Sequence, residues 1–160
     1  MKKSILAGLL AVTLLISFGC KKDDPVVAAG MTAKVAGNSW AADVTTCSYS
    51  QTMNLTQITG MKGTMAEAIQ LNLFGNTTGT YSISDSETSA VGGYVLNATA
   101  EGFYSTIVAD TPVGQVVITE YDKTNNKVSG TFQFEAYNAN GDKIVITEGK
   151  FTKVALIVTQ

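Results

Sequence analysis

Glu120 and Asp122 are the carboxylates whose spacing most invites a chemical reading, because they stand two apart in Val116-Val117-Ile118-Thr119-Glu120-Tyr121-Asp122. On a strand that spacing puts both on one face. Glycoside hydrolysis needs its two carboxyl groups on opposite sides of the scissile bond, so a solvated strand end accounts for the pair better than catalysis does. With Asn125 and Asn126 the same stretch offers oxygens to calcium, but it lacks the Asp-x-Asp-x-Asp-Gly order of a calcium loop. Cys47 carries a thiol, and a nucleophilic thiol needs a neighbouring base or cation to lower its pKa. In Val44-Thr45-Thr46-Cys47-Ser48-Tyr49 it reads as a small buried hydrophobe. Trp40, the single tryptophan, is the candidate ligand-binding residue if its ring stacks on a sugar. The bland account is a core anchor for the first hairpin. Asn54, Asn76 and Asn97 begin Asn-x-Ser/Thr triplets, which matter for glycosylation only in a eukaryotic secretory pathway.

The chain contains no histidine, and every basic residue in it is lysine. Histidine is the commonest general base and metal ligand near neutral pH, and arginine supplies the two-pronged grip on phosphate and carboxylate. A Ser-His-Asp triad, a His-bearing zinc site and an arginine phosphate clamp are therefore excluded by composition. No catalytic residue, no metal site and no cofactor is expected, and the protein reads as a non-enzymatic binding or interaction module, with a small β-barrel binding an apolar ligand as the alternative and a hydrolase as the least favoured one.

The elements that position these residues are strands. Val113–Tyr121, Lys127–Tyr137 and Lys143–Phe151 are rich in β-branched and aromatic residues between turn clusters. Within the second, Val128, Phe132, Phe134 and Ala136 share one face while Ser129, Thr131, Gln133 and Glu135 share the other, the pattern of a half-buried strand. Asp122–Asn126 and Asn138–Asp142 are turns, and Asn140-Gly141 is a strong hairpin signal. Upstream strands are expected at Thr32–Val35, Ser39–Ala42, Val44–Ser50, Ile69–Phe74, Thr80–Ser84, Tyr94–Thr99 and Phe103–Val108, with turns at Gly75–Gly79 and Gly92-Gly93. Only Met61–Ile69 reads as able to hold a helical turn. Val154, Leu156 and Val158 give a last strand able to pair with the first and close the structure. The fold class is all-β, an antiparallel meander forming a β-sandwich or a closed or partly open β-barrel.

Ahead of this domain lies a different kind of segment. Lys2 and Lys3 precede the uncharged, mostly apolar run Ile5–Phe18, which Gly19, Cys20 and the charged Lys21-Lys22-Asp23-Asp24 cut short. A bilayer-spanning helix needs about 20 apolar residues, so residues 1–19 read as a signal peptide. Gly19 before Cys20 resembles the lipobox of bacterial lipoproteins, which implies lipid attachment at Cys20 and anchoring by more than one acyl chain. The Lys21-Lys22-Asp23-Asp24 run resembles the export tag of Bacteroidota lipoproteins, which implies the outer face of the outer membrane. Residues 20–30 read as a polar tether and 31–160 as one β-rich domain. Without Lys2 and Lys3 the remaining nine lysines face thirteen acidic residues, a balance that invites no nucleic acid.

Met31-Thr32-Ala33-Lys34-Val35-x-Gly37-x-x-Trp40, the Val116–Asp122 stretch, Val128-Ser129-Gly130-Thr131-Phe132-x-Phe134-x-Ala136 and Ile144-x-Ile146-Thr147-x-Gly149-x-Phe151 together resemble an uncharacterised family of Bacteroidota lipoproteins over most of residues 31–154. The resemblance implies localisation and strand order and carries no mechanism. The expected partners are the membrane through the anchor and a surface glycan, a protein or a small apolar ligand. The last would occupy a cavity lined by residues such as Phe132, Phe134 and Leu73.

Overall fold

The computed structural model describes residues 30–63, 67–83, 89–97, 99–107 and 114–160. Cys20 and Lys21–Asp24 lie outside the described residues.

Among the described residues eleven strands form one sheet. They are β1 (Gly30–Val35), β2 (Asn38–Ala41), β3 (Val44–Ser50), β4 (Leu55–Lys62), β5 (Glu67–Phe74), β6 (Gly79–Ile83), β7 (Ala90–Val95), β8 (Phe103–Ser105), β9 (Gly114–Asp122), β10 (Lys127–Tyr137) and β11 (Lys143–Thr159). A 3₁₀ turn at Ala100–Gly102 precedes β8. Hairpins join β1 to β2, β3 to β4, β4 to β5, β9 to β10 and β10 to β11. The first hairpin turns through Ala36 (φ 48°) and Gly37 (φ 81°). Positive φ at both central residues matches the right-handed twist of the flanking strands.

The sheet is mixed rather than a pure meander. The C-terminal part of β11 runs parallel to β3, with Leu156 opposite Cys47, and β6 meets β7 in parallel through the single pair Ile83 and Ala90. From β3 the pairings pass through β4, β5, β7, β6, β9 and β10 back to β11. The sheet thus curls into a partial ring, thinnest at the β6–β7 pair, where β8 bonds to both β7 and β10. This is the all-β architecture expected, within the range from a sandwich to a partly open barrel.

Several elements differ from the sequence-based expectation. The region around Met61–Ile69 forms no helical turn among its described residues; it contains the end of β4, a strand the sequence reading lacked, and the start of β5. Gly92-Gly93 is not a turn but the middle of β7, which ends at Val95 rather than Thr99. The two expected C-terminal strands are one strand of seventeen residues. Its Met31-to-Val35 partner is the Ile146–Phe151 part, whereas Leu156 and Val158 pair with β3. Glu148 (φ 51°) and Lys153 (φ 47°) sit where the β10–β11 register shifts. Such bulges bend a strand and re-aim its side chains, so one strand imitates two in a reading based on strict alternation.

The interior is filled with side chains. Phe132 stacks on Phe134 and Phe151 at centroid separations of 6.3 and 6.2 Å, and Ile58, Ile69, Leu71, Val116 and Ile146 around them are fully buried. Each large apolar side chain so buried stabilises the fold by about 1.5–3 kcal/mol relative to exposure. Val128, Phe132, Phe134 and Ala136 all point into this core.

Candidate functional site

Trp40 belongs to the inside. It is 4 % exposed, and its ring lies over Gly60, where an added Cβ would stand 3.0 Å from Trp40 Cη2 and 2.7 Å from Met31 Sδ. Its indole nitrogen is buried without a hydrogen-bond partner. Cys47 is buried on the inner face of β3, and desolvation pushes its thiol up to about 12. A thiol held protonated is a poor nucleophile.

The carboxylates near the β9–β10 turn are tied into local structure. Glu120 Oε2 accepts from the Ser129 hydroxyl at 2.6 Å. Asp122 Oδ1 accepts from the backbone N–H groups of Thr124 and Asn125, both at 2.9 Å, and Oδ2 accepts from Asn125 Nδ2 at 2.7 Å. The Asn125 side-chain and backbone donors hold the Asp122 carboxyl below its ordinary value, because hydrogen bonds to a carboxylate favour its charged form. Asp122 thus closes the turn, and Glu120 ties β9 to β10. Among the described residues no group of three acidic or cysteine side chains could hold a metal ion.

Phe132, Phe134 and Leu73 are packed in the core at 3, 2 and 1 % exposure. Among the described residues a groove lies on the outer face. It measures about 260 Å³ and runs beside the β11 bulge between Gln115, Gln133, Glu148 and Lys150. Burial raises the Tyr94 hydroxyl to about 12, aided by Glu67, whose Oε2 accepts from it at 3.3 Å. Burial likewise raises Tyr121, which meets the Thr56 hydroxyl at 3.1 Å.

The outer surface divides by charge. On the side built from β1, β10 and β11, Lys34 pairs with Glu148 at 2.7 Å and Lys143 with Glu135 at 3.3 Å. Lys127, Lys150 and Lys153 are also exposed there. Across β3, β4, β5, β7 and β8 the inner positions are the buried ones, and the cross-strand pairings sort the outward side chains into rows. Val44, Met61, Ala68, Val95 and Phe103 make one row. Thr46, Thr59, Gln70, Gly93 and Ser105 make the next. Ser48, Gln57, Asn72 and Val91 follow, then Ser50, Leu55 and Phe74. None of these outward residues is charged.

Three amides gather at the centre of this face. Asn72 Oδ1 accepts from Gln57 Nε2 at 3.1 Å and from Gln70 Nε2 at 3.4 Å. Each amide retains further donor and acceptor capacity. Sequence reading missed the cluster because Gln57 lies on β4, and without that strand nothing placed it opposite Asn72.

The family model described as a domain of unknown function (DUF6252) matches residues 28–155. No curated protein and no solved structure matches the chain.

Proposed function

Taking as premise that the chain belongs to the family of the domain of unknown function DUF6252, we propose that it is a lipid-anchored cell-surface protein whose β-domain binds an uncharged, hydroxyl-rich partner, a surface glycan, and catalyses no reaction. The observation that carries this reading is the charge-free outer face with the Gln57–Asn72–Gln70 cluster at its centre. A side-chain amide both donates and accepts, as a sugar hydroxyl does, and a neutral surface imposes no charge on what it recognises. Asn72 holding both glutamines reduces the side-chain freedom lost on binding.

The anchor belongs to the same proposal. Cys20 follows the apolar run and Gly19, and the basic-acidic run behind it supports the outer surface of the outer membrane. Cys20→Ala abolishes incorporation of a fatty-acid analogue; a label that persists refutes the anchor. For binding, the full-length protein in detergent is applied to an array of neutral and acidic saccharides. Retention on neutral members is expected, weakened about tenfold in a Gln70→Ala/Asn72→Ala variant, since each lost hydrogen bond costs about 0.5–1.5 kcal/mol. Binding to no saccharide, or binding that ignores the double variant, overturns the reading.

A further inference from the structure

The row Val44–Met61–Ala68–Val95–Phe103 is apolar along its whole length and crosses five strands. Its two ends are the most open, Val44 at 53 % and Phe103 at 52 % exposure. The two rows that follow it on the same face are built mainly of hydroxyls and amides, so this row differs in kind from them. Lys62 and Glu67, at the ends of β4 and β5, pair with each other at 3.5 Å; Asp43, which precedes Val44, accepts from the Gly63 N–H, and exposed Glu101 lies two residues before Phe103, so carboxylates flank the row at both ends without entering it.

The row lies beside the point where the chain enters the domain. The Met31 carbonyl accepts from Ala42 N at 2.9 Å, which sets Gly30 next to the residues leading into Val44. Cys20 is ten residues before Gly30, a length that can reach no more than about 35 Å at 3.3–3.6 Å per residue. An anchor at Cys20 thus keeps this end of the sheet close to the bilayer.

We infer that the Val44–Phe103 row rests on the lipid surface that holds Cys20, an inference that depends on the anchored reading above. Size separates this occupant from a second copy of the chain. Five strands at about 4.8 Å spacing give a row about 19 Å long and one side chain wide, far short of the roughly 800 Å² per partner of a stable protein interface. A lipid contact needs no such area, because the tether already supplies a high local concentration and apolar side chains at a bilayer boundary insert by about 5–10 Å. With the row against lipid, strands β3–β5 and β7 stand up from the membrane and lift the amide cluster clear of it.

The test uses the full-length protein in opened membrane fragments, with acylation of Cys20 followed in the same samples by a fatty-acid label. Single cysteines are placed at Phe103 (Phe103→Cys) and, as a control in the exposed β9–β10 turn, at Thr124 (Thr124→Cys); native Cys47 is buried. Reaction with a membrane-impermeant maleimide is compared in membranes and in detergent. The expected result is that Phe103→Cys reacts about tenfold more slowly in membranes, Thr124→Cys reacts equally in both, and adding Val44→Asp restores the Phe103→Cys rate. Equal rates for Phe103→Cys in acylated protein overturn the docking while leaving the anchor intact. Protection that persists in the Cys20→Ala protein points to a protein partner and also overturns it. Loss of the acyl label refutes the anchor itself, and the docking with it.

Discussion

The Phe151 ring occupies the space where a side chain on Gly130 would be. A Cβ there would stand 2.5 Å from Phe151 Cζ and closer still to the Val117 carbonyl oxygen. Neither neighbour can give way, since one is backbone and the other is a fully buried ring stacked on Phe132.

Gly130→Ala should therefore destabilise the fold by about 1–3 kcal/mol, the range of an overpacked core site. Gly93→Ala serves as its contrast. There the nearest atom to an added Cβ is the Tyr104 carbonyl oxygen at 3.5 Å, an ordinary contact, so the loss of unfolded-chain freedom leaves the protein unchanged or up to about 1 kcal/mol more stable. Urea unfolding of the two variants measures both, and equal destabilisation by the two would contradict the packing account.

Lys153 offers a stabilising change. Its φ of 47° costs a side-chain-bearing residue about 1–2 kcal/mol, while its exposed side chain packs on nothing in the core. Its backbone N–H donates to the Ser129 hydroxyl at 2.9 Å, a bond glycine keeps. Lys153→Gly relieves the strain against an unfolded-state entropy cost of about 0.5–1 kcal/mol. A net gain of about 0.5 kcal/mol is expected in the denaturation midpoint, and a loss would show that the bulge is not strained.

Cys47 sets an alkaline limit. Its thiol is raised from 9.0 to about 12 by burial, so the native state keeps a proton that the unfolded chain releases. The stabilisation is whole below pH 9 and declines as pH rises towards 12, by about 1.4 kcal/mol per pH unit from this group. In Cys47→Ala that part of the slope disappears, although the plateau below pH 9 drops for want of the buried sulfur. Denaturation at pH 8, 9.5 and 11 gives both slopes; parallel curves would mean the thiol titrates normally.

Asp122 acts at the other extreme. Its carboxyl is held below 3.8 by Asn125 and Thr124, so the stability it contributes is present above that value and is lost as pH falls through the lowered one. Asp122→Ala should melt below the parent protein at pH 7, and the two melting temperatures should converge as the medium is acidified below about pH 4. A gap that stays constant into acid would assign the effect to something other than the carboxylate.

What could be seen in the amino-acid pattern follows the physics of each strand. β10 announces itself because Val128, Phe132, Phe134 and Ala136 alternate cleanly with polar residues. β4 does not, because its inner positions are Thr56, Ile58 and Gly60: the threonine is buried through a 2.6 Å bond to the Gly75 carbonyl, and the glycine makes room for Met31 and Trp40. In β7, Gly92-Gly93 imitates a turn, yet Gly92 is small because Phe134 carbons stand 3.1 Å from where its Cβ would be. The parallel pairing of Cys47 with Leu156 joins residues more than a hundred positions apart, and no local pattern carries it. The amide cluster was hidden with β4. The burial of Cys47 and the turn at Asp122–Asn126, by contrast, follow directly from residue type.

Strand β11 bonds to β10 along one edge and to both β1 and β3 along the other. It is also the latest in chain order of the described strands. The partial ring therefore has no way to close while β11 is missing, and β1 and β3, each already paired in a hairpin, wait on the latest strand for a second partner. Contacts of such long sequence separation make folding slow. A chain built this way stays open while it is being made, and it completes its fold only when its closing strand arrives.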